Sequence, residues 1–291
     1  MKALRLAIKD YSELGKLRLS LLVVYSAVFG YLIGTENVNY FILVVLAFGG
    51  LLITMGANAF NEIIETEYDS MMSRTASRPL PAGRMRAGQA VIFASFITLL
   101  GIHLLTAFIS PMVGVLGLLS VASYVILYTP MKRVGSVSVW IGTIPGALPL
   151  LIGWYSATGK FSVGGWILFL IQVFWQLSHF WTIAWLAHED YQKAGFQMLP
   201  LKGGKTFANA YIIAFSILPL LMIPYISYKF SFISLWGAVA LLLLTSPMVL
   251  FAYKIITEKK DVFIKKLMFA SFAYLPLAFI FIYLDKIFNN L

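Results

Sequence analysis

Three oxygen-bearing side chains, Asn61, Glu65 and Asp69, recur every four residues at the end of a long apolar segment, and Arg74 and Arg78 follow them. Positions i, i+4 and i+8 share one helical face, and Asn58 and Glu62 widen that face to a polar stripe. Hard oxygen donors suit Mg²⁺, an ion usually held through one or two carboxylates plus substrate phosphates. The arginines just beyond can grip phosphate in bidentate fashion. The block reads as a diphosphate site at the mouth of a membrane helix, with Asn61, Glu65 and Asp69 as metal ligands. The plainer alternative is a solvated helix end with a charged juxtamembrane loop. Against it, four of the chain's twelve acidic residues, Glu62, Glu65, Glu67 and Asp69, fall within eight positions. Carboxylates near a bilayer are costly unless paired or metal-bound.

A second polar stretch, from Trp185 to Thr206, supplies Glu189 and Asp190, adjacent at another helix exit. A Glu-Asp-Tyr there is ordinary when taken alone. Beside the first block it becomes a second set of metal or phosphate ligands, because a diphosphate commonly needs more than one cation. A third element, Tyr128 to Arg133, offers Lys132 and Arg133 either as topology charges or as phosphate-facing groups. Among the histidines, His103 is expected to be a hydrogen-bonded structural imidazole and His188 to be solvated at the interface. His179 lies eleven residues before Asp190, almost three turns; a continuous helix puts both on one face, with an acceptor pocket above the diphosphate site. A buried structural histidine is the competing reading.

What must position these residues is membrane. Of 291 residues 60% are hydrophobic and 12% charged, with a mean hydropathy of +0.86, far from a soluble average. Nine apolar segments are long enough to cross a bilayer, at roughly 19–34, 41–64, 90–110, 112–129, 137–156, 163–186, 207–227, 231–253 and 266–284. The fold class expected is all-α, with nine transmembrane helices around a central cavity. With the N-terminus cytoplasmic, 19 Lys and Arg residues fall inside and three outside, Lys160, Lys229 and Lys286. The net charge of +10 is thus mostly a topology signal, and no nucleic acid is expected as a partner. The absence of cysteine excludes disulfides and thiolate-bound metal. The polar-basic N-terminal lead and the missing cleavage pattern argue against a cleaved signal peptide. One intramembrane domain is expected over 1–291, with active-site loops at about 65–89 and 187–206.

The stripe is similar to the N-x-x-x-D-x-x-x-D motif of the intramembrane UbiA-type prenyltransferases, with Glu65 in place of the middle aspartate. Asp69 to Met72, Arg74-Thr75 and Arg78-Pro79 are similar to the D-x-x-M-x-R-T-x-x-R-P pattern of that superfamily's haem-specific branch, the protohaem IX farnesyltransferases. So are Tyr128-Thr129 with Lys132-Arg133, the run from Ile141 to Pro149 leading to Gly153-Trp154, His179-Phe-Trp181, and Asp190-Tyr191 with Ala194-Gly195 and Met198 to Pro200. One departure stands out. The superfamily's second aspartate pair is spaced by four, whereas Leu186 and Ala194 flank Asp190 at that spacing, leaving Glu189 and Asp190 as the available ligands.

The resemblance implies Mg²⁺-dependent transfer of a farnesyl group from farnesyl diphosphate to the vinyl group of haem b. Asn61, Glu65, Asp69 and Asp190 are then the catalytic set, and Arg74, Arg78, Lys132, Arg133, His179 and Tyr191 contact the substrates. It also implies a multi-pass protein of the bacterial inner membrane, with haem A synthase or a terminal-oxidase assembly as candidate protein partners. Two other readings stand beside it. One is prenylation of a quinone precursor such as 4-hydroxybenzoate; the other is a transporter of an anionic lipid or metabolite, whose site is expected nearer the bilayer midplane.

Overall fold

The computed structural model describes residues 2–289, and side chains from residue 6 onward. The side chains of Lys2 and Arg5, counted above as topology charges, lie outside the described residues. Among the described residues the chain is helical and contains no strand. Nine helices among those residues are long and apolar enough to cross a bilayer: Leu17–Gly34, Tyr40–Ile64, Ala87–Phe108, Pro111–Met131, Val137–Thr158, Val163–Leu186, Phe207–Lys229, Leu235–Glu258 and Asp261–Asn289. They are called spans 1 to 9 below.

The expected segments and the observed spans differ mainly at their ends, where caps decide. Span 8 starts at Leu235 because Ser231 turns the chain with φ 55° and the Ser234 hydroxyl accepts the Gly237 N–H. Span 9 begins at Asp261, whose carboxylate favours a helix N-terminus, so Lys265 and Lys266 ride on its opening turns. The basic lead folds into an amphipathic helix, Lys2–Leu14, which anchors through fully buried Leu14 beside Ala59 and Ala90. A left-handed Lys16 then turns the chain into span 1.

Contacts sort the connections onto two faces. Arg84 binds Asp10 at 2.9 Å and Glu13 at 2.7 Å, Lys132 binds Glu65, Ser73 binds Asp190, and Lys205 reaches Asp261. These pairs join the N-terminal helix and the loops after spans 2, 4, 6 and 8 on one side. On the other, the Lys286 ammonium donates to the carbonyls of Ile33 and Thr35, and Asp285 accepts from Ser234. The lopsided charge count therefore matches the way the helices alternate.

Between helices in lipid there is little hydrophobic driving force, so close approach relies on small residues. Spans 1 and 5 meet through two such notches, one on each. A Cβ on Gly153 would lie 1.9 Å from the Ala27 carbonyl oxygen, and one on Gly30 would lie 2.3 Å from that of Leu150. Neither backbone can yield without prising the pair apart. Gly153→Val is expected to destabilise the fold by about 1–3 kcal/mol or more through overpacking, read as a lowered Tm in detergent. An unchanged Tm would mean that spans 1 and 5 do not meet there.

Candidate active site

The predicted stripe forms, with one adjustment. Span 2 ends at Ile64 and a short helix, Thr66–Met71, follows, so Glu65 sits at a kink with φ −94° and ψ 6°. The i→i+4 bonds nevertheless run through it, Glu65 N–H to Asn61 O at 2.9 Å and Asp69 N–H to Glu65 O at 2.7 Å. The helical spacing survives, and Asn58, Asn61, Glu62, Glu65 and Asp69 are all buried.

Most of these groups meet a partner from another element. Lys132 Nζ lies 2.7 Å from Glu65 Oε1, and Arg78 Nη1 lies 2.5 Å from Asp69 Oδ2. Asn61 accepts from Lys16 Nζ at 2.8 Å and donates to the Thr129 hydroxyl at 3.1 Å. Burial opposes the charge on Lys132, but the Glu65 carboxylate outweighs it and lifts the ammonium above its ordinary range. Glu62 is the exception. It is fully buried, and neither carboxylate oxygen has a hydrogen-bond partner among the described residues.

The second stretch comes to the same place. The Ser73 hydroxyl donates to both Asp190 oxygens, at 3.0 and 3.2 Å, and that bond, with help from Lys193 at 3.3 Å, holds the Asp190 carboxyl below its usual range. The Arg74 guanidinium stands 6.0 Å from the Tyr191 ring and that of Arg133 stands 4.7 Å over Tyr68. Gln197 N–H donates to Lys132 O at 3.2 Å. A polar opening of about 680 Å³ is lined by Glu65, Tyr68, Thr129, Arg133, Gly195 and Phe196. All three sequence elements thus surround one space. Glu189 is the outlier, exposed on the helix His188–Lys193.

Deeper in, an apolar cavity of about 330 Å³ includes Asn58, Tyr124, Tyr128, Gly146, Trp175 and His179 in its wall, at the small end of the ~300–1,000 Å³ of ligand sites. Gly146 lets Gln176 pack against span 5 in that wall, since a Cβ there would lie 2.0 Å from Gln176 Oε1. The cavity adjoins the opening, because Tyr128 lines the first and Thr129 the second. A π-helical turn, Ser123–Tyr128, aims these residues. Its cause is local. Pro130 has no N–H for the carbonyl of Ile126 and its ring crowds that turn, and a wider turn relieves both, as π-bulges at functional sites do.

His179 is buried in this cavity's wall, its Nδ1 2.9 Å from Ser271 Oγ and its ring stacked on Trp175 at 4.8 Å. The continuous face with Asp190 does not form: span 6 ends at Leu186, Ala187 leaves the helical conformation, and Asp190 belongs to the next short helix. His103 also departs from expectation. It is exposed on span 3 and makes no hydrogen bond among the described residues. His188 is half-buried, and burial with the nearby Lys205 pushes its pKa down.

The donor set fits a divalent cation shared with a phosphate ligand. Among the described residues no three His, Asp or Glu side chains converge tightly enough to hold an ion alone. Two buried carboxylates backed by cations, beside an orphaned third, are what an ion completed by substrate oxygens needs. Lys16 and Ser73 were not legible as site residues, and Thr129 was legible only as part of the Tyr128 to Arg133 element. Lys16 looks like one more topology charge, and nothing in spacing reveals which lysine turns inward.

The UbiA prenyltransferase family model matches residues 23–275. The chain belongs to the UbiA prenyltransferase family. Among its relatives, protoheme IX farnesyltransferase of Christiangramia forsetii is 39% identical, with 96% of this chain and 94% of that protein covered. That of Flavobacterium psychrophilum is 38% identical, at 95% and 94%. The fold is also that of a solved digeranylgeranylglyceryl phosphate synthase structure, with a TM-score of 0.80 at 18% identity over 96% of this chain and 98% of that one. A UbiA homologue from Archaeoglobus fulgidus, bound to DMAPP and Mg²⁺, superposes with a TM-score of 0.68 at 15% identity, over 94% and 99%. The chain is thus a multi-pass membrane prenyltransferase.

Proposed function

We propose that this prenyltransferase moves a farnesyl group from farnesyl diphosphate to a vinyl group of haem b, giving haem O. The observation that carries the reading is the buried carboxylate stripe, backed by lysine and arginine and opening onto an aromatic-walled apolar cavity. The near full-length relatives named protoheme IX farnesyltransferase support that choice of substrates. The A. fulgidus homologue, which binds Mg²⁺ with a prenyl diphosphate, supports the metal.

Asn61, Glu65 and Asp69 would hold a first Mg²⁺, and Asp190, with Glu189 nearby, a second. When bound, the ion neutralises negative charge as it develops on the diphosphate. Arg74, Arg78, Lys132, Arg133 and Lys16 grip the phosphate oxygens as the C1–O bond breaks and its electron pair leaves with diphosphate. Tyr124, Tyr128, Trp175 and Phe180 present ring faces to the farnesyl cation in a water-poor space. The vinyl π electrons form the new C–C bond, and water adds at the adjacent carbon with loss of a proton. His179 and Tyr191 belong to the acceptor side. The domain spans 1–291, its two active-site loops face the cytoplasm, and the membrane is the bacterial inner one, where haem A synthase or a terminal oxidase would take the product.

Purified protein given farnesyl diphosphate, Mg²⁺ and haem b should yield a product heavier by one farnesyl and one hydroxyl. Chelator should stop the reaction, and 4-hydroxybenzoate should give nothing. Prenylated hydroxybenzoate in place of prenylated haem would reassign the acceptor. Transport in proteoliposomes without any product would overturn the enzymatic reading. His179→Phe keeps an aromatic ring on Trp175 but loses the Ser271 bond; it should lower haem turnover about tenfold with little change in KM for farnesyl diphosphate. A fall in Tm with turnover intact would make His179 structural.

A further inference from the structure

On the same face as the reaction site, but sharing no lining residue with it, lies a third cavity of about 420 Å³ between the ends of spans 6, 7, 8 and 9. Its apolar wall is Trp185, Phe207, Ala210, Ile255 and Ile264, and three ammonium groups, Lys205, Lys259 and Lys260, stand over it with a single carboxylate, Asp261. That carboxylate is mostly exposed and, among the described residues, pairs with Lys205 alone, at 4.0 Å. Lys260 contacts Glu258 at 3.6 Å, and Lys259 sits 4.7 Å over the Phe207 ring. The charge excess lies at the rim and the apolar wall beneath it.

A further observation points to a ligand. Trp185 is 5% exposed, and its indole N–H has no acceptor among the described residues, a deficit that buried polar groups rarely carry without a role. Lys259 closes span 8 in the left-handed region, φ 54° and ψ 36°, where glycine is the cheaper residue. The start of span 7, with leading N–H groups that favour anions, lines the same cavity.

We propose that this cavity binds the phosphate of an anionic phospholipid, with the headgroup among Lys205, Lys259 and Lys260 and the acyl chains leaving along exposed Phe207 and Val262. Basic pockets between membrane helices take such headgroups. The chemistry recognised is a phosphate anion; the apolar wall and the position at the helix ends select the lipid over the free ion.

The test uses the full chain reconstituted in vesicles of equal parts phosphatidylglycerol and phosphatidylcholine, then released for native mass spectrometry of retained lipid. Wild type should keep phosphatidylglycerol in preference to phosphatidylcholine. Retention should fall roughly fivefold for each lysine neutralised among Lys205→Gln, Lys259→Gln and Lys260→Gln. Lys9→Gln with Lys265→Gln, basic residues of the same face outside the cavity, should leave it unchanged. Lys259→Gly relaxes the left-handed position, so it should raise Tm while lowering retention, which separates ligand loss from misfolding. Equal retention by the triple variant, or no preference for phosphatidylglycerol in wild type, would overturn the site. Displacement of the lipid by millimolar inorganic phosphate would overturn the lipid and leave a free-anion site.

Discussion

Asp69→Asn should lower prenyl transfer by about 10²–10³, the loss typical of removing one group that stabilises charge developing in a transition state. Asparagine keeps the size and one oxygen but loses the charge that faces the cation and holds Arg78 at 2.5 Å. The fold should survive. Removing one partner of a deeply buried pair costs about 3–5 kcal/mol, but Arg78 keeps 23% of its side chain exposed and can turn to water, so the loss should fall well below that range. Glu65→Asp is the control, because it shortens the arm by one methylene and keeps the carboxylate against Lys132; turnover should stay within about tenfold of wild type. The measurement is kcat at limiting Mg²⁺ beside Tm in detergent. Near-normal turnover by Asp69→Asn under those conditions would remove Asp69 from the metal site.

The spans and the stripe were legible because each rests on a strong regularity. Twenty or so apolar residues between basic loops admit few arrangements, and a four-residue polar repeat admits one helical face. Legibility ended where partners come from distant sequence. Nothing around Lys16 says that its amine meets Asn61 forty-five positions on, and nothing around Ser73 announces Asp190. The failed alignment of His179 with Asp190 has a different cause: apolar periodicity marks where a membrane helix runs, while its end at Leu186 depends on a kink at Ala187 that periodicity does not encode. The π turn before Thr129 had a signal, Pro130 inside an apolar run, but its consequence becomes definite only once Tyr128 and Thr129 are seen facing two halves of one site.

Lys16→Met should raise the KM for farnesyl diphosphate about 10- to 100-fold while leaving Tm within a few degrees of wild type. Lys16 is an uncomfortable cation. Burial first, and then the charges of Arg78 and Lys132, push its pKa down to about 7, and its hydrogen bond goes to the neutral Asn61 amide and not to a carboxylate. The backbone there adopts φ 47°, a conformation that no lysine prefers. Three cations gathered beside one carboxylate stripe repel each other, and a diphosphate among them offsets that repulsion. A hydrogen bond to a charged group contributes about 1.5–3 kcal/mol, which converts to the stated change in KM. Methionine keeps much of the volume and removes the repulsion, offsetting the roughly 1 kcal/mol lost with the Asn61 bond. Lys16→Arg, which restores the charge, should recover a large part of the affinity. A variant that binds farnesyl diphosphate normally but melts many degrees lower would make Lys16 a tether between the N-terminal helix and span 2, with no part in holding substrate.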